Sequence, residues 1–247
     1  MALYISVVNH MHDNMICSSS TLKSFAKEHT VIIKSNTTAT EVLKEYCLDS
    51  NIILIQGVDT KGFAENNNET FHYAEQELGM KENDHFLVLN PDVEIISTVI
   101  NELLNQVTKN AVPISTINLF KNRQMTEFDN SIRKFPSLAN PIKSILGIKR
   151  TDYYDKSEIT SPIKIDWAAG SFLLFQYKTF KQLQGFDEKY FMYFEDVDIC
   201  RRAKEANINI IYYPQFKGLH LARHSNRNLF SKTFLYYIKS TITYFFQ

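Results

Sequence analysis

Several things are scarce in this 247-residue chain, and each scarcity removes a class of protein. Cysteine occurs three times, at Cys17, Cys47 and Cys200, without paired spacing. A disulfide scaffold and a cysteine metal site are therefore excluded, and the thiols read as reduced core groups. No stretch reaches the ~18 uninterrupted apolar residues that a membrane span needs. The chain enters directly into ALYISVV, with no basic region or cleavage site, so secretion is not expected and a cytoplasmic location is. Net charge is also missing: 27 basic residues balance 27 acidic ones, leaving no global field to attract nucleic acid. Acid is absent locally as well. After Glu205 come Lys217, Arg223, Arg227, Lys232 and Lys239 and no Asp or Glu. Such a region suits an anionic partner, either a diphosphate or phospholipid headgroups, with a solvated basic face as the plainer alternative.

What remains is ordinary globular material, 44% apolar, enough for one compact core without a linker. The first half alternates strand-like and helix-like segments in the order of a parallel α/β sheet. Strands are expected over 3–8, 30–34, 52–56, 86–89 and 111–118, with helices over 20–28, 41–47, 63–78 and 96–108. Residues 120–160, containing Pro136, Pro141 and Gly147, lack periodicity and read as an irregular excursion. Strand character resumes over 163–175 and 208–212. These boundaries give one domain over 1–228, with a nucleotide-binding half at 1–119 and a catalytic half at 120–228, and a C-terminal helix over 229–247.

Two acidic motifs carry chemistry. The apolar run at 86–89 ends abruptly in Asn90, Pro91 and Asp92, as a buried parallel strand does when it delivers polar groups to its C-terminal edge. Open α/β sheets bind ligands there. Asp92, with Asn90 or Glu94, has the hard oxygen chemistry for a divalent cation that neutralises a diphosphate; an ordinary turn is the alternative. The second motif, GFDEKYFMYFEDVDICRR at 185–202, crowds Glu195, Asp196 and Asp198 at a helix start among aromatic residues. Helix N–H groups stabilise carboxylates, and Phe191, Tyr193 and Phe194 can desolvate one into the range of a general base. A helix cap is the competing reading.

In these segments the chain resembles family 2 glycosyltransferases of the GT-A fold, and most of all the bacterial rhamnosyltransferases of surface polysaccharide biosynthesis. The matching segments are GFAENNN at 62–68, FLVLNPDV at 86–93, SIRKFPS at 131–137, WAAGSF at 167–172, GFDEKYFMYFEDVDICRRA at 185–203 and HLARHS at 220–225. They follow the family's order over nearly the whole chain. The resemblance implies an α/β GT-A fold, a mostly parallel central sheet flanked by helices. It also implies an inverting, metal-dependent hexosyltransferase that moves L-rhamnose from dTDP-L-rhamnose to a glycan or polyprenyl-diphosphate-linked acceptor in O-antigen or capsule assembly. Alternatives are a different nucleotide sugar or a non-catalytic nucleotide-sugar-binding domain. A nucleotidyltransferase is disfavoured because VVNHMHDNM, after the first strand, has no glycine for a phosphate loop.

Carried onto this sequence, the family pattern puts Val8, Asn9 and His10, then Ser35 and Asn36, then 61–67 around the nucleotide. Ser35 stands where the family usually has an acidic residue. Asn67 is expected at a helix start, either facing ribose or phosphate or serving as a simple helix cap. Asn90, Asp92 and Arg223 face the diphosphate, and Asp92 with His220 holds Mg²⁺ or Mn²⁺. The family's glycine between His220 and Ser225 is replaced here by Ala222, Arg223 and His224. Asp196 is the base, with Glu195 as the alternative. Trp167, Gly170 and Asp198 belong to the sugar and acceptor side: Trp167 offers an apolar ring or is a core tryptophan, Gly170 permits close approach, and Asp198 orients or caps. In the tail, Phe230, Phe234, Tyr237, Thr241 and Phe245 recur at helical intervals beside Lys232 and Lys239. That pattern fits either an interfacial helix on the inner face of the cytoplasmic membrane or docking onto the core or a subunit partner in a homodimer.

Overall fold

The computed structural model describes residues 1–57, 59–137, 152–221 and 232–246. Its centre is a nine-stranded sheet in the order β3-β2-β1-β4-β10-β6-β11-β5, with β8 also pairing to β11. The strands are β1 (Leu3–Asn9), β2 (Thr30–Ser35), β3 (Ile53–Gln56), β4 (His85–Leu89), β5 (Val93–Glu94), β6 (Ile114–Phe120), β8 (Ile163–Ile165), β10 (Phe172–Gln176) and β11 (Ile210–His220). A separate ribbon pairs β7 (Ile132–Arg133) with β9 (Trp167–Ala168). The helices are α1 (Asp13–Ser18), α2 (Ser20–Phe25), α3 (Glu41–Asp49), α4 (Phe63–Gln76), α5 (Ser97–Lys109), α6 (Tyr177–Gln182), α7 (Glu195–Glu205) and α8 (Lys232–Phe245).

Strand alternation builds the two layers. Successive side chains point to opposite faces, so Leu3, Ile5 and Val7 of β1 join one core with Val31, Ile33, Leu87 and Leu89. Tyr4 falls on the other face with Ile32, Phe86 and Val88. Helices α2, α3 and α5 supply Leu22, Leu43, Leu103 and Val107 to the first core. Helices α4, α6 and α7 close the second with Phe71, Phe180 and Ile199.

β1, β2, β3 and β4 run parallel, and β6 pairs parallel with β11, as a doubly wound sheet requires. The expected strand over 163–175 is instead three short ones. The last of them, β10, inserts antiparallel between β4 and β6. One edge therefore collects the C-terminal ends of the parallel strands and the start of β10, where Phe172 pairs with Leu89. β11 is longer than the sequence suggested, reaching His220 past an irregularity between Tyr213 and Lys217. The two halves expected at 1–119 and 120–228 share this one sheet. Arg223, Ser225, Phe230 and residues 138–151 of the irregular excursion lie outside the described residues.

The segment after α6 is stitched to α4. Asn68 Oδ1 accepts the Phe186 N–H at 2.9 Å, and its Nδ2 donates to the Phe186 carbonyl at 2.8 Å and to Glu188 Oε1 at 2.9 Å. The Phe63 N–H, at the start of α4, donates to the Phe191 carbonyl at 2.9 Å. Gly185 has a positive φ of 68°, and a Cβ there would sit 2.4 Å from Asn68 Oδ1. Only glycine serves both demands. Asn68→Ala strands a buried N–H and C=O of Phe186, which costs about 2–4 kcal/mol. Denaturant unfolding checks this, and a loss below about 0.5 kcal/mol contradicts the stitch.

Candidate active site

The residues of the second acidic motif enter α7 through a strained turn. Tyr193 and Phe194 both adopt left-handed backbone, φ 69° and 70°, and Phe194 caps the helix without a side-chain hydrogen bond. Two consecutive non-glycine residues there cost about 1–2 kcal/mol each. Aromatic packing from α8 holds the turn: Tyr236 lies 4.6 Å from Phe191 between ring centroids, and Tyr244 lies 5.2 Å from Phe194. Ser240 Oγ donates to the Met192 carbonyl at 2.9 Å.

That turn separates the three carboxylates. Asp196 is half-buried at the sheet edge; its Oδ2 accepts the Gly170 N–H at 3.1 Å and its Oδ1 the Val197 N–H at 2.8 Å. Glu195 points inward, and its buried Oε2 has no hydrogen-bond partner. Burial first, then the neighbouring Asp196 charge, pushes the Glu195 carboxyl well above the usual carboxylate range. Burial raises Asp196 as well, opposed by the Gly170 and Val197 N–H groups and by the charge of Arg133. Asp198 takes the orienting role and makes no contact toward the sugar side. It is 1% exposed, and its carboxylate pairs with Arg201 at 3.1 Å and Arg202 at 2.7 Å. Arg202 also donates to the Gly185 carbonyl at 2.9 Å, so this pair locks α7 to the preceding segment.

The first acidic motif reaches the same edge. The Asn90 N–H donates to the Ser171 carbonyl at 3.1 Å, and Ser171 follows Gly170, whose N–H holds Asp196. One short turn between β9 and β10 thus ties both acidic sites together. A Cβ on Gly170 would lie 3.0 Å from the Phe63 ring, which would have to give way, and in ordinary contact, 3.9 Å, with Asp196 Cβ.

Asp92 faces His220, the last residue of β11, with Oδ1 3.3 Å from Nε2. That oxygen is buried without a well-formed hydrogen bond. On the other side of the ring, Nδ1 lies 2.5 Å from Asp129 Oδ2. Burial works against a charged His220, yet the Asp129 hydrogen bond and the two carboxylate charges push its pKa up to about 9. Burial would raise Asp129, but His220 and Lys156 hold it below the usual carboxylate range. Asp129 gave no sequence signal: it stands in the aperiodic stretch and meets His220 only because β6 and β11 are neighbours. Among the described residues no three His, Cys, Asp or Glu side chains are grouped to hold a metal by themselves. One carboxylate and one imidazole fit an ion that completes its shell with phosphate oxygens and water.

On the nucleotide side a cavity of about 620 Å³ is lined by residues that include Met11, Thr37, Thr38, Gly57 and Thr60 and, of the residues expected there, Asn36. Asn36 is held by Lys61, accepting its N–H at 2.7 Å and donating to its carbonyl at 2.8 Å. Val8 is half-buried at the end of β1. Asn9 is buried, and its amide is committed to Asp13, Ser35 and the His12 N–H, so it has no amide group left for a base. Asn67 corrects the expected helix-start contact. It is the fifth residue of α4, fully buried, accepting from Ser6 Oγ at 2.7 Å and donating to the Phe63 carbonyl at 2.9 Å.

Trp167 is half-buried, with Nε1 donating to the Lys134 carbonyl at 2.9 Å. Arg133 lies over its ring at 5.4 Å and over Tyr153 at 5.1 Å. Since Arg133 also acts electrostatically on Asp196, SIRKFPS places a fixed cation beside the acidic turn.

No family model matches the chain. It is 35% identical over 244 residues to the rhamnosyltransferase WbbL of Escherichia coli K12, an alignment covering 98% of this chain and 92% of that one. It is 32% identical over 149 residues to the N-acetylglucosaminyl-diphospho-decaprenol L-rhamnosyltransferase of Mycobacterium tuberculosis, covering 58% of this chain and 48% of that one. Among solved structures, GalNAc-T7 with UDP, GalNAc and Mn²⁺ superposes with a TM-score of 0.64 at 12% identity, covering 97% of this chain and 48% of that one. Staphylococcus aureus TarS superposes with a TM-score of 0.59 at 13% identity, covering 89% and 36%. Identity sustained over nearly the full length of a rhamnosyltransferase, on a sheet shared with GT-A enzymes, means that this chain belongs to the GT-A glycosyltransferase family that contains the bacterial rhamnosyltransferases.

Proposed function

We propose that this chain transfers L-rhamnose from dTDP-L-rhamnose, with inversion, to a hydroxyl of a polyprenyl-diphosphate-linked glycan during O-antigen or capsule assembly at the cytoplasmic face of the membrane. The observation that carries this reading is the joining of Asn90 and Asp196 through Gly170 and Ser171, which brings the Asp92 and Asp196 sites to one sheet edge. The names of the relatives from E. coli and M. tuberculosis support rhamnose as the sugar, and the second supports a lipid diphosphate on the acceptor.

In the proposed reaction the acceptor oxygen attacks the anomeric carbon as the bond from that carbon to the diphosphate breaks. Asp196 takes the hydroxyl proton, and dTDP leaves with the bonding electrons. Asp196 rather than Glu195 suits the role of base, since its half-buried oxygens stand at the edge while the Glu195 carboxyl is turned inward. Its raised pKa gives it more basicity than an ordinary aspartate. Asp92 and, once a cation displaces its Nε2 proton, His220 would hold Mg²⁺ or Mn²⁺, which would supply charge neutralisation for the departing diphosphate. Asp129 keeps the His220 ring turned so that Nε2 faces Asp92, both for a cation ligand and for a donor to phosphate.

Asp196→Asn should lower turnover by about 10²–10⁴-fold while donor binding persists, and Asp92→Ala should weaken cation-dependent donor binding. Assay of dTDP release with isothermal titration of the donor checks both; near-normal turnover of either variant sinks the assigned roles. Glu195 gives a test independent of turnover. Its folded-state pKa lies above the unfolded one, so its stabilising contribution is complete below the unfolded pKa and is lost as pH rises through the folded value. Glu195→Gln should therefore raise the unfolding midpoint at pH 8, with the gain shrinking toward about pH 4. A pH-independent effect contradicts the inward, neutral carboxyl.

A further inference from the structure

Helix α8 has two faces. Tyr236, Ser240 and Tyr244 pack onto the turn at 191–194, with Arg201 stacked 4.6 Å from the Tyr244 ring. Roughly opposite, Leu235, Ile238 and Ile242 are 63%, 40% and 56% exposed, and Phe246 just beyond is 80% exposed. This is not the face that the sequence suggested. Phe234, Thr241 and Phe245 are half-buried along one flank, while the open stripe is aliphatic and carries the exposed Lys239 among its members. Tyr193 and Tyr237, both partly exposed and in edge contact at 5.9 Å, form a shoulder between the stripe and the turn that leads to Asp196.

We propose that this outward face of α8 is a docking surface for an anionic phospholipid bilayer. The occupant follows from charge and shape. The charged member of the stripe is Lys239, and the sequence from residue 206 onward, which contains this helix, has basic residues and no acid, so the complement of the face is a negative surface. An apolar stripe with a lysine in it and tyrosines at its shoulder matches the headgroup boundary, where apolar side chains enter and amphipathic ones stay level. Among the described residues no helix is long and apolar enough to cross a membrane, so the helix would lie along the surface. Because the inner face of the same helix clamps the turn at 191–194, docking would hold the acidic edge at the headgroup layer. The docking itself does not depend on the proposed reaction; only the lipid-linked nature of what waits there does.

Flotation of the full chain with phosphatidylglycerol–phosphatidylethanolamine vesicles, against pure phosphatidylcholine, tests the proposal without donor or acceptor. The full chain should float with the anionic vesicles and at least about tenfold less with neutral ones. Leu235→Glu combined with Ile242→Glu should reduce flotation by at least about tenfold while the unfolding midpoint and dTDP binding stay unchanged. If that variant does not fold, Leu235→Ser with Ile242→Ser tests the same face. Failure of the full chain to float, equal flotation of the variants, or a fall from dimer to monomer in light scattering when the stripe is changed overturns the proposal, the last by assigning the face to a second copy. A chain that floats but transfers no rhamnose leaves docking standing and removes the proposed reaction instead.

Discussion

The acidic edge depends on the attachment of one irregular segment to one polar helix. Residues 185–194 have no strand or helix of their own, and their backbone groups need partners that regular structure does not provide. α4 provides them: Asn68 takes both backbone groups of Phe186, and the free N–H at the start of α4 takes the Phe191 carbonyl. Phe63 then lies beneath Gly170, so the helix that anchors the segment also supports the turn that hydrogen-bonds Asp196. This attachment and the packing of α8 together hold Tyr193 and Phe194 in left-handed backbone, which sets where α7 starts and where its carboxylates point.

The same edge separates its titratable groups by environment. At Glu195 and Asp196 burial outweighs the opposing groups, the charge of Arg133 included, and both are raised. Asp129, partly withdrawn from water, is lowered because His220 and Lys156 face it. One end of the proposed site thus holds carboxyl groups disposed to keep or accept a proton, and the other holds Asp129 kept as an anion beside His220. Proton uptake from an acceptor and charge neutralisation of a diphosphate require that division.

Much of this was legible in the sequence because it rests on local pattern. The first four strands of the sheet were readable from apolar runs, and the polar stop after Leu89 gave the location of Asp92 at the strand edge. The crowded carboxylates before an amphipathic helix gave α7. What sequence could not show were outcomes of pairing between distant segments. β10 looks like a continuation of β8 and β9 until its antiparallel insertion between β4 and β6 is seen. Asn67 and Asp198 are as polar as their neighbours, yet helical rotation turns them toward Ser6 and toward Arg201 and Arg202. Asp129 becomes a site residue only through the register of β6 against β11.

The central claim is that Asp92 and Asp196 serve one cavity around one sugar-phosphate bond. Crystallography of the chain with dTDP-L-rhamnose and Mn²⁺, using the anomalous signal of manganese, tests it most directly. The account predicts a manganese peak beside the Asp92 carboxylate and His220 Nε2, with the anomeric carbon open to attack from the side of Asp196. A peak elsewhere, or a sugar whose reactive face is turned away from Asp196, would contradict it.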